Sequence, residues 1–339
     1  MRAPDFWSAG KRSSPLSFLL APVGWAYGAG VRLRLALVQP ARASLPVVCV
    51  GNLVAGGAGK TPVALALGEW FQAHGRNPHF LSRGYGGSLP GPVRVNNERH
   101  HCRDTGDEAL LLSRTATTWV STDRPAGAQS AALAGADMVI MDDGFQNPSL
   151  AKDLSLVVMD GNYGIGNGRL IPAGPLRETL EDALSRADAV VVLGEDRSRI
   201  GAAIEKSGIR IPVLGARLAP ANGGGAEWQG RRVLAFAGIG RPEKFFDSLR
   251  EAGAEIVAAH AFPDHYPYGE EEAEALMEAA QTVGAQAVTT AKDAERLEVD
   301  MQERVAVFKV RVQWQDEAAL ARLLSPLAEK VSEKVAEDE

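Results

Sequence analysis

Between Gly51 and Thr61 the chain reads GNLVAGGAGKT, a glycine-rich turn that ends in a lysine and a hydroxyl. Gly56, Gly57 and Gly59, with Ala58 between them, let the backbone curl so that successive N–H groups face phosphate oxygens. Lys60 can then reach the β- and γ-phosphates of a nucleotide, and the Thr61 hydroxyl can ligate Mg²⁺. The apolar run Val47–Val50 before the turn and the helical pattern after Pro62 supply the strand–loop–helix setting that such a loop requires. The match is imperfect. The strict GxxxxGK[ST] pattern has glycine at position 54, occupied here by Val54, and the paired-glycine variant has lysine at position 55, occupied by Ala55. A glycine turn without ligand is the alternative, and the strand and helix on either side favour phosphate binding.

A second acidic feature follows. ADMVIMDDGFQN (136–147) is a hydrophobic strand pattern ending in Asp142 and Asp143. In a parallel sheet, ligands collect beyond the carboxyl ends of strands, which would put this pair beside the phosphate loop. One carboxylate would hold Mg²⁺ and the other polarise an attacking hydroxyl; alone, an Asp-Asp-Gly run also makes a plain turn. In TGDEALLL (105–112), Asp107 either caps a helix or points into a cleft as a catalytic carboxylate. FPDHYPYG (262–269) is a proline-bracketed loop whose His265 is either solvated or a base placed across a cleft. RGYGG (83–87) and RLIPAGPLRE (169–178) carry Arg83, Tyr85, Arg169, Arg177 and Glu178 on glycine- and proline-rich loops, where arginine suits phosphate recognition. His100, His101 and Cys102 lack the spacing of a closed metal site and read as an exposed loop.

Short apolar runs alternate with helical stretches, so βαβ units and a mostly parallel sheet covered on both faces are expected. The fold class is α/β: a P-loop NTPase-like core with a smaller C-terminal α/β domain and an N-terminal membrane-associated helix. The expected divisions are 1–44, a basic and apolar segment; 45–220, the kinase core; 221–231, a glycine-rich linker; 232–330, the smaller domain; and 331–339, a disordered tail. In the smaller domain, 306–310 is read as one strand. At 339 residues, with 45% hydrophobic and 23% charged residues, the chain has the composition of a globular protein with a sizeable core. The net charge of −6 argues against a general nucleic-acid binder. Two cysteines exclude a disulfide framework.

Residues 1–44 carry Arg2, Lys11, Arg12, Arg32, Arg34 and Arg42 against the single acid Asp5. The uncharged run from Leu16 to Val31 is interrupted by Pro22, Gly24, Gly28 and Gly30 and is shorter than the roughly 20 apolar residues a spanning helix needs. It fits a segment lying in a membrane interface near anionic head groups, or equally a helix packed on the protein's own core. A cleaved signal peptide is a third reading, disfavoured because export would part the phosphate loop from ATP.

GNLVAGGAGKTP, SRGYGG, TGDEALLL, DDGFQN, IPAGPLRE, AFAGIGRPEKFF, FPDHYPY and TTAKDAERL occur in an order that resembles the tetraacyldisaccharide 4′-kinase family, the lipid A kinases of Gram-negative bacteria. The resemblance covers most of residues 15–300, and the family's own phosphate loop also lacks the first Walker glycine. It implies transfer of the γ-phosphoryl group of ATP to the 4′-hydroxyl of a lipid A disaccharide precursor, with Mg²⁺. It also implies an N-terminal segment, about residues 16–38, docked on the cytoplasmic face of the inner membrane. By motif it implies that Lys60 and Thr61 bind phosphates and metal, that Asp107 is the catalytic carboxylate paired with His265, and that Asp142, Asp143 and Gln146 form a Walker-B-like run. Glu178 becomes a further metal-site or substrate-site carboxylate, and Tyr85, Arg124 and Arg177 surround nucleotide or substrate. The family commonly has histidine after DDGFQ, where this chain has Asn147. Asparagine cannot exchange a proton near neutral pH, so the base is expected at Asp107 with His265. The expected enzyme is monomeric and binds no nucleic acid. The rivals are a membrane-associated P-loop ATPase switch, a P-loop kinase of a soluble metabolite and a nucleotide-dependent membrane scaffold.

Overall fold

A computed structural model describes residues 4–8, 14–221 and 225–338 of the chain. The apolar runs become strands: β1 (Val47–Asn52), β2 (Pro78–Ser82), β3 (Val93–Arg94), β4 (Thr118–Val120), β5 (Met138–Asp142), β6 (Leu154–Asp160), β7 (Ala189–Leu193) and β8 (Val213–Pro220). A smaller set follows: β9 (Arg232–Ala237), β10 (Glu255–Ala261), β11 (Gln286–Thr290) and β12 (Ala306–Phe308), and then β13 (Val310–Trp314). The large sheet has the order β13-β8-β7-β6-β1-β5-β2-β4-β3 and the small one β10-β9-β11-β12. Both are parallel except at the edges, where β3 pairs antiparallel to β4 and β13 antiparallel to β8. β1 and β5 are buried at every position, as strands covered on both faces must be. They run side by side with Val50 opposite Asp142, so the phosphate loop and the acidic pair leave the sheet at the same point.

The smaller domain ends earlier than its expected boundary at 330. What reads as one strand over 306–310 is two. β12 closes the small sheet at Phe308, and β13 crosses back to pair with β8, Val310 opposite Pro220 and Trp314 opposite Ala216. The alternation of Val310, Val312 and Trp314 with Arg311 and Gln313 suits a two-faced edge strand, a period that merges with the preceding run in sequence. The helix Glu317–Asp338 then packs on the large sheet, with Leu320, Leu324, Leu327 and Ala328 beside Val63, Leu67 and Phe71. It also corrects the disordered tail expected over 331–339. The i, i+4, i+7 apolar stripe reaches Val331, and the helix continues to Asp338. Glu339, with Asn222, Gly223 and Gly224 of the expected linker, lies outside the described residues.

The N-terminal segment forms α1 (Pro15–Leu19) and α2 (Ala21–Leu37). Two of its glycines, Gly24 and Gly28, serve packing, while Gly30 faces open space. A Cβ on Gly24 would lie 3.0 Å from the Leu170 carbonyl oxygen, and one on Gly28 would lie 2.5 Å from Leu170 Cδ1. Ser17 Oγ donates to the Ala173 carbonyl at 2.7 Å, and Asn167 Nδ2 donates to Ser17 Oγ at 3.1 Å. Trp7 Nε1 donates to Pro172 O at 3.0 Å, and Arg169 lies 4.1 Å over the Phe18 ring. The opposite side of the segment presents Phe18, Leu19, Val23, Trp25, Leu33 and Leu37 to solvent, with Leu19, Trp25 and Leu37 more than 70% exposed. No helix among the described residues is long and apolar enough to cross a membrane.

Candidate active site

The phosphate loop is held by an unusual partner strand. Residues 53–55 run extended against 175–177: Ala55 N donates to Pro175 O at 2.8 Å, and Arg177 N donates to Leu53 O at 2.8 Å. Val54 bridges Leu176 and is buried, which accounts for a branched side chain where the strict motif has glycine. The turn proper starts at Gly56 (φ 109°) and closes at Gly59 (φ 89°), values that strain any other residue. A Cβ on Gly59 would also meet Leu193 Cδ1 at 2.4 Å. Helix α3 (Lys60–Ala73) begins at once, so Lys60 and Thr61 stand at its positive end, both nearly buried.

Thr61 Oγ1 donates to Asp142 Oδ2 at 2.8 Å, while Asp142 Oδ1 is buried without a partner. Burial, reinforced by the negative charge of Glu108, pushes the Asp142 carboxyl up to about 7. Asp143 sits at φ 54° and turns its carboxylate back over the loop, 2.9 Å from Arg177 Nη1 and 3.7 Å from Lys60 Nζ. Burial acts to raise its pKa, but Lys60, Arg177 and Arg124 outweigh it and hold the carboxyl below the usual range. An orphaned carboxylate oxygen next to a hydroxyl is a hard, all-oxygen donor set, and Mg²⁺ commonly takes one or two protein oxygens and completes its shell with phosphate and water. Thr61 and Asp142 fit that ion. Glu178 is buried with both oxygens engaged, one by Gln146 Nε2 at 3.0 Å and the other by Arg186. Gln146 Nε2 also donates to Asn52 O at 2.8 Å, and Gln146 Oε1 accepts from Arg177 Nη1 at 3.3 Å. Asn147 spends its Oδ1 on Ser149 N and Oγ, at 2.8 and 2.7 Å, as a turn former.

The second cluster forms across the domain boundary. Asp107 opens the helix Asp107–Ser113 behind Gly106, whose positive φ lets the RGYGG loop pack against the turn. Its Oδ1 accepts from Glu108 N at 2.8 Å; its Oδ2 lies 3.0 Å from His265 Nδ1 and 2.9 Å from Arg296 Nε. Burial would raise this carboxyl, yet the His265 hydrogen bond with the charges of Lys292 and Arg296 holds it low. His265, at φ 57°, stacks obliquely on Tyr85 with ring centroids 5.1 Å apart. Lys292 Nζ donates to Glu108 Oε1 at 3.0 Å and stands 3.4 Å from His265 Nε2. An ammonium can only donate, so Nε2 is the acceptor nitrogen and Nδ1 carries the proton shared with Asp107.

Both clusters open on one cleft of about 1330 Å³ between the domains. Gly56–Thr61, Tyr85, Arg124, Asp142, Asp143, Gln146, Arg177 and His265 line it; Asp107 lies behind His265, and Glu178 behind Gln146 and Arg186. Arg124 is buried, bonded through Nη1 to Ser121 O, and pushed down to about 10 by burial and then by Arg83. Tyr27, Val31 and Arg34, one stripe of α2, also line the cleft. Arg296, Lys292 and Asn52 receive no role from sequence reasoning. TTAKDAERL stands out as a motif, but nothing in it indicates that Arg296 reaches a carboxylate on the other domain.

Fold and site together define a P-loop phosphotransferase with a two-domain cleft. A profile of the tetraacyldisaccharide-1-P 4′-kinase family matches residues 16–328. The tetraacyldisaccharide 4′-kinase of Paramagnetospirillum magneticum is 52% identical over 331 residues, 98% of this chain and 99% of that protein. That of Rhodospirillum centenum is 52% identical over 329 residues, 96% and 97% of the two chains. Among solved structures, LpxK from Aquifex aeolicus in complex with ATP is similar, with a TM-score of 0.73, 26% identity and coverage of 92% of this chain and 99% of that one. The chain belongs to the tetraacyldisaccharide 4′-kinase family.

Proposed function

We propose that this enzyme transfers the γ-phosphoryl group of ATP to the 4′-hydroxyl of a tetraacyldisaccharide 1-phosphate precursor of lipid A, at the cytoplasmic face of the inner membrane. The kinase activity and its lipid A substrate follow from the family. What carries the residue-level reading is that Thr61, Asp142 and His265, with Asp107 bonded behind it, meet at one cleft that α2 also lines. The loop amides and Lys60 hold the triphosphate, and Arg177 and Arg124 add positive charge where the transferring group becomes more negative. Thr61 and Asp142 are the residues that would hold Mg²⁺, which when bound neutralises phosphate charge. His265 Nε2 accepts the proton of the sugar hydroxyl as the Lys292 ammonium, 3.4 Å from it, gives up that contact and keeps Glu108, and Asp107 fixes the ring and stabilises the imidazolium that results. Placing the base on His265 refines the expectation that Asp107 itself takes the proton, because His265 is the member of the pair that lines the cleft.

The acceptor enters along α2. Its outer face carries the exposed apolar side chains and its inner stripe lines the cleft, so acyl chains can stay in the bilayer interface while the sugar reaches Lys60. Purified protein incubated with labelled ATP, Mg²⁺ and the unphosphorylated disaccharide lipid should yield a labelled lipid, and folded protein giving none would contradict the proposal.

A further inference from the structure

The side chain of Asn52 shapes the phosphate loop. Asn52 ends β1, is wholly buried, and directs its amide into the turn rather than toward the cleft. Its Nδ2 donates to the carbonyl of Val54 at 2.7 Å and to that of Gly56 at 3.2 Å. Two carbonyl neighbours settle which end of the amide is nitrogen, since only the NH₂ group can satisfy both. The two bonds turn the carbonyls of the first half of the loop inward, behind the turn. An extended peptide alternates its C=O and N–H directions; with the Ala55 amide taken by Pro175 O, the amide that these captured carbonyls turn to the front, toward a phosphate, is that of Gly57. In a strict Walker loop a glycine at position 54 would allow the bend; here Val54 is fixed in pairing with Leu176, and the side chain of Asn52 organises the turn instead.

The backbone of Asn52 extends the same device. Its carbonyl accepts from Gln146 Nε2 at 2.8 Å, and Gln146 in turn bonds Glu178 and Arg177. Arg177 reaches Asp143 at 2.9 Å. One residue therefore ties the phosphate cradle to the acidic pair, with its side chain on the loop and its carbonyl on the network beneath.

We propose that Asn52 is a positioning residue for ATP: it holds Val54 O and Gly56 O away from the triphosphate and sets the geometry of the loop amides. This rests on the reading of Gly56–Thr61 as the phosphate cradle. Asn52→Ala removes both donors, and Asn52→Asp keeps the shape but sets a carboxylate against two carbonyl oxygens. Affinity for a non-hydrolysable ATP analogue should fall about 10- to 30-fold in Asn52→Ala, as expected for two ordinary hydrogen bonds lost, and further in Asn52→Asp. The KM for the lipid acceptor should change little, while the melting temperature falls with the two buried hydrogen bonds that are lost. Asn52→Ser, with one hydroxyl donor, should weaken the analogue about threefold and carries the same reading if the alanine variant does not fold. Lys60→Ala is the control. If it too binds the analogue like the wild type, the cradle assignment fails and the proposal with it. If Lys60→Ala weakens binding while folded Asn52 variants bind normally, or lose kcat with nucleotide affinity intact, Asn52 is a structural residue and the proposal alone is overturned.

Discussion

Asp107→Asn tests the proton-transfer pair with almost no change of shape. The carboxylate has three donors around it: Glu108 N on Oδ1, and His265 Nδ1 and Arg296 Nε near Oδ2. An asparagine offers one acceptor oxygen and one NH₂, so whichever way it sits, a donor faces a donor. With its oxygen toward His265, the ring keeps its tautomer but loses the negative charge 3.0 Å away. With its NH₂ toward His265, Nδ1 must become the acceptor, Nε2 takes the proton, and that N–H meets the Lys292 ammonium 3.4 Å off. Two opposite charges at 3 Å attract by about 5 kcal/mol at an effective dielectric constant of about 20, the most that the imidazolium can lose. General-base catalysis typically supplies about 10²- to 10⁴-fold, so kcat should fall by about that factor. Nucleotide affinity should stay within about twofold, because the pair does not touch the phosphate cradle. Stability should drop by about 1–3 kcal/mol, since Arg296 keeps Asp293 at 2.9 Å as a second counter-ion. Steady-state kinetics with the lipid acceptor and analogue binding by calorimetry separate the two. His265→Ala should be as slow as Asp107→Asn, and the double variant no slower. A folded Asp107→Asn enzyme within threefold of the wild-type kcat would refute the pair as the proton acceptor, and a normal His265→Ala would refute Nε2 in particular.

Thr61→Ala removes the hydroxyl bonded to Asp142, and should raise the Mg²⁺ concentration for half-maximal rate about tenfold while leaving the fold intact; an unchanged Mg²⁺ titration would move the metal elsewhere. Leu19→Asp with Trp25→Asp places two charges on the exposed apolar face and should abolish sedimentation with anionic phospholipid vesicles, and lower activity on vesicle-borne but not detergent-dispersed acceptor; retained vesicle binding would return that face to a merely exposed helix. Asp160, on β6, takes Arg241 and Lys244 from the smaller domain. Burial raises its pKa, but those two cations outweigh it and hold the folded carboxyl below its unfolded value. Its contribution is therefore complete above the ordinary carboxylate pKa of about 3.9 and is lost as pH falls through the lower folded value. Asp160→Asn should cost about 1–3 kcal/mol at pH 7 and flatten the acid limb of the stability curve below about pH 4, and an acid limb identical to the wild type would remove Asp160 from it.

The parts of the fold that sequence reveals are those set by local period and turn chemistry. The parallel core strands are near-continuous apolar runs, and Gly56–Thr61 needs glycines that announce themselves. Long-range placement is a different matter. That Val310, Val312 and Trp314 leave the small sheet for β8 depends on an antiparallel partner some ninety residues earlier in the chain, which alternation cannot name. The same limit applies to the site. Asp107 and His265 can each be singled out by their loops, but only folding shows that His265 lies in front and Asp107 behind, with Arg296 and Lys292 completing the cluster. Gly24 and Gly28 of α2 look like helix breakers in sequence and prove to be packing positions against Leu170.

That last contact leads back to the phosphate loop. The segment 169–178 carries three loads that sequence presents as unrelated. Its carbonyls at Pro172 and Ala173 hold Trp7 and Ser17 of the N-terminal segment. Its backbone at 175–177 forms the partner strand of residues 53–55, and its side chains Arg177 and Glu178 join Asp143 and Gln146. A displacement of α1 and α2 therefore bears on the same proline-rich turn that lines up the residues leading into the phosphate cradle. A P-loop with a free first half could bend at a glycine in position 54. In this chain that half is one side of a two-stranded clamp, and the other side is the platform on which the N-terminal helices rest. Val54 is the residue such a clamp calls for, because a buried, paired position gains from a branched side chain and has no use for glycine's freedom. The departure from the strict motif is thus the local signature of a phosphate loop built against the segment on which the N-terminal helices rest.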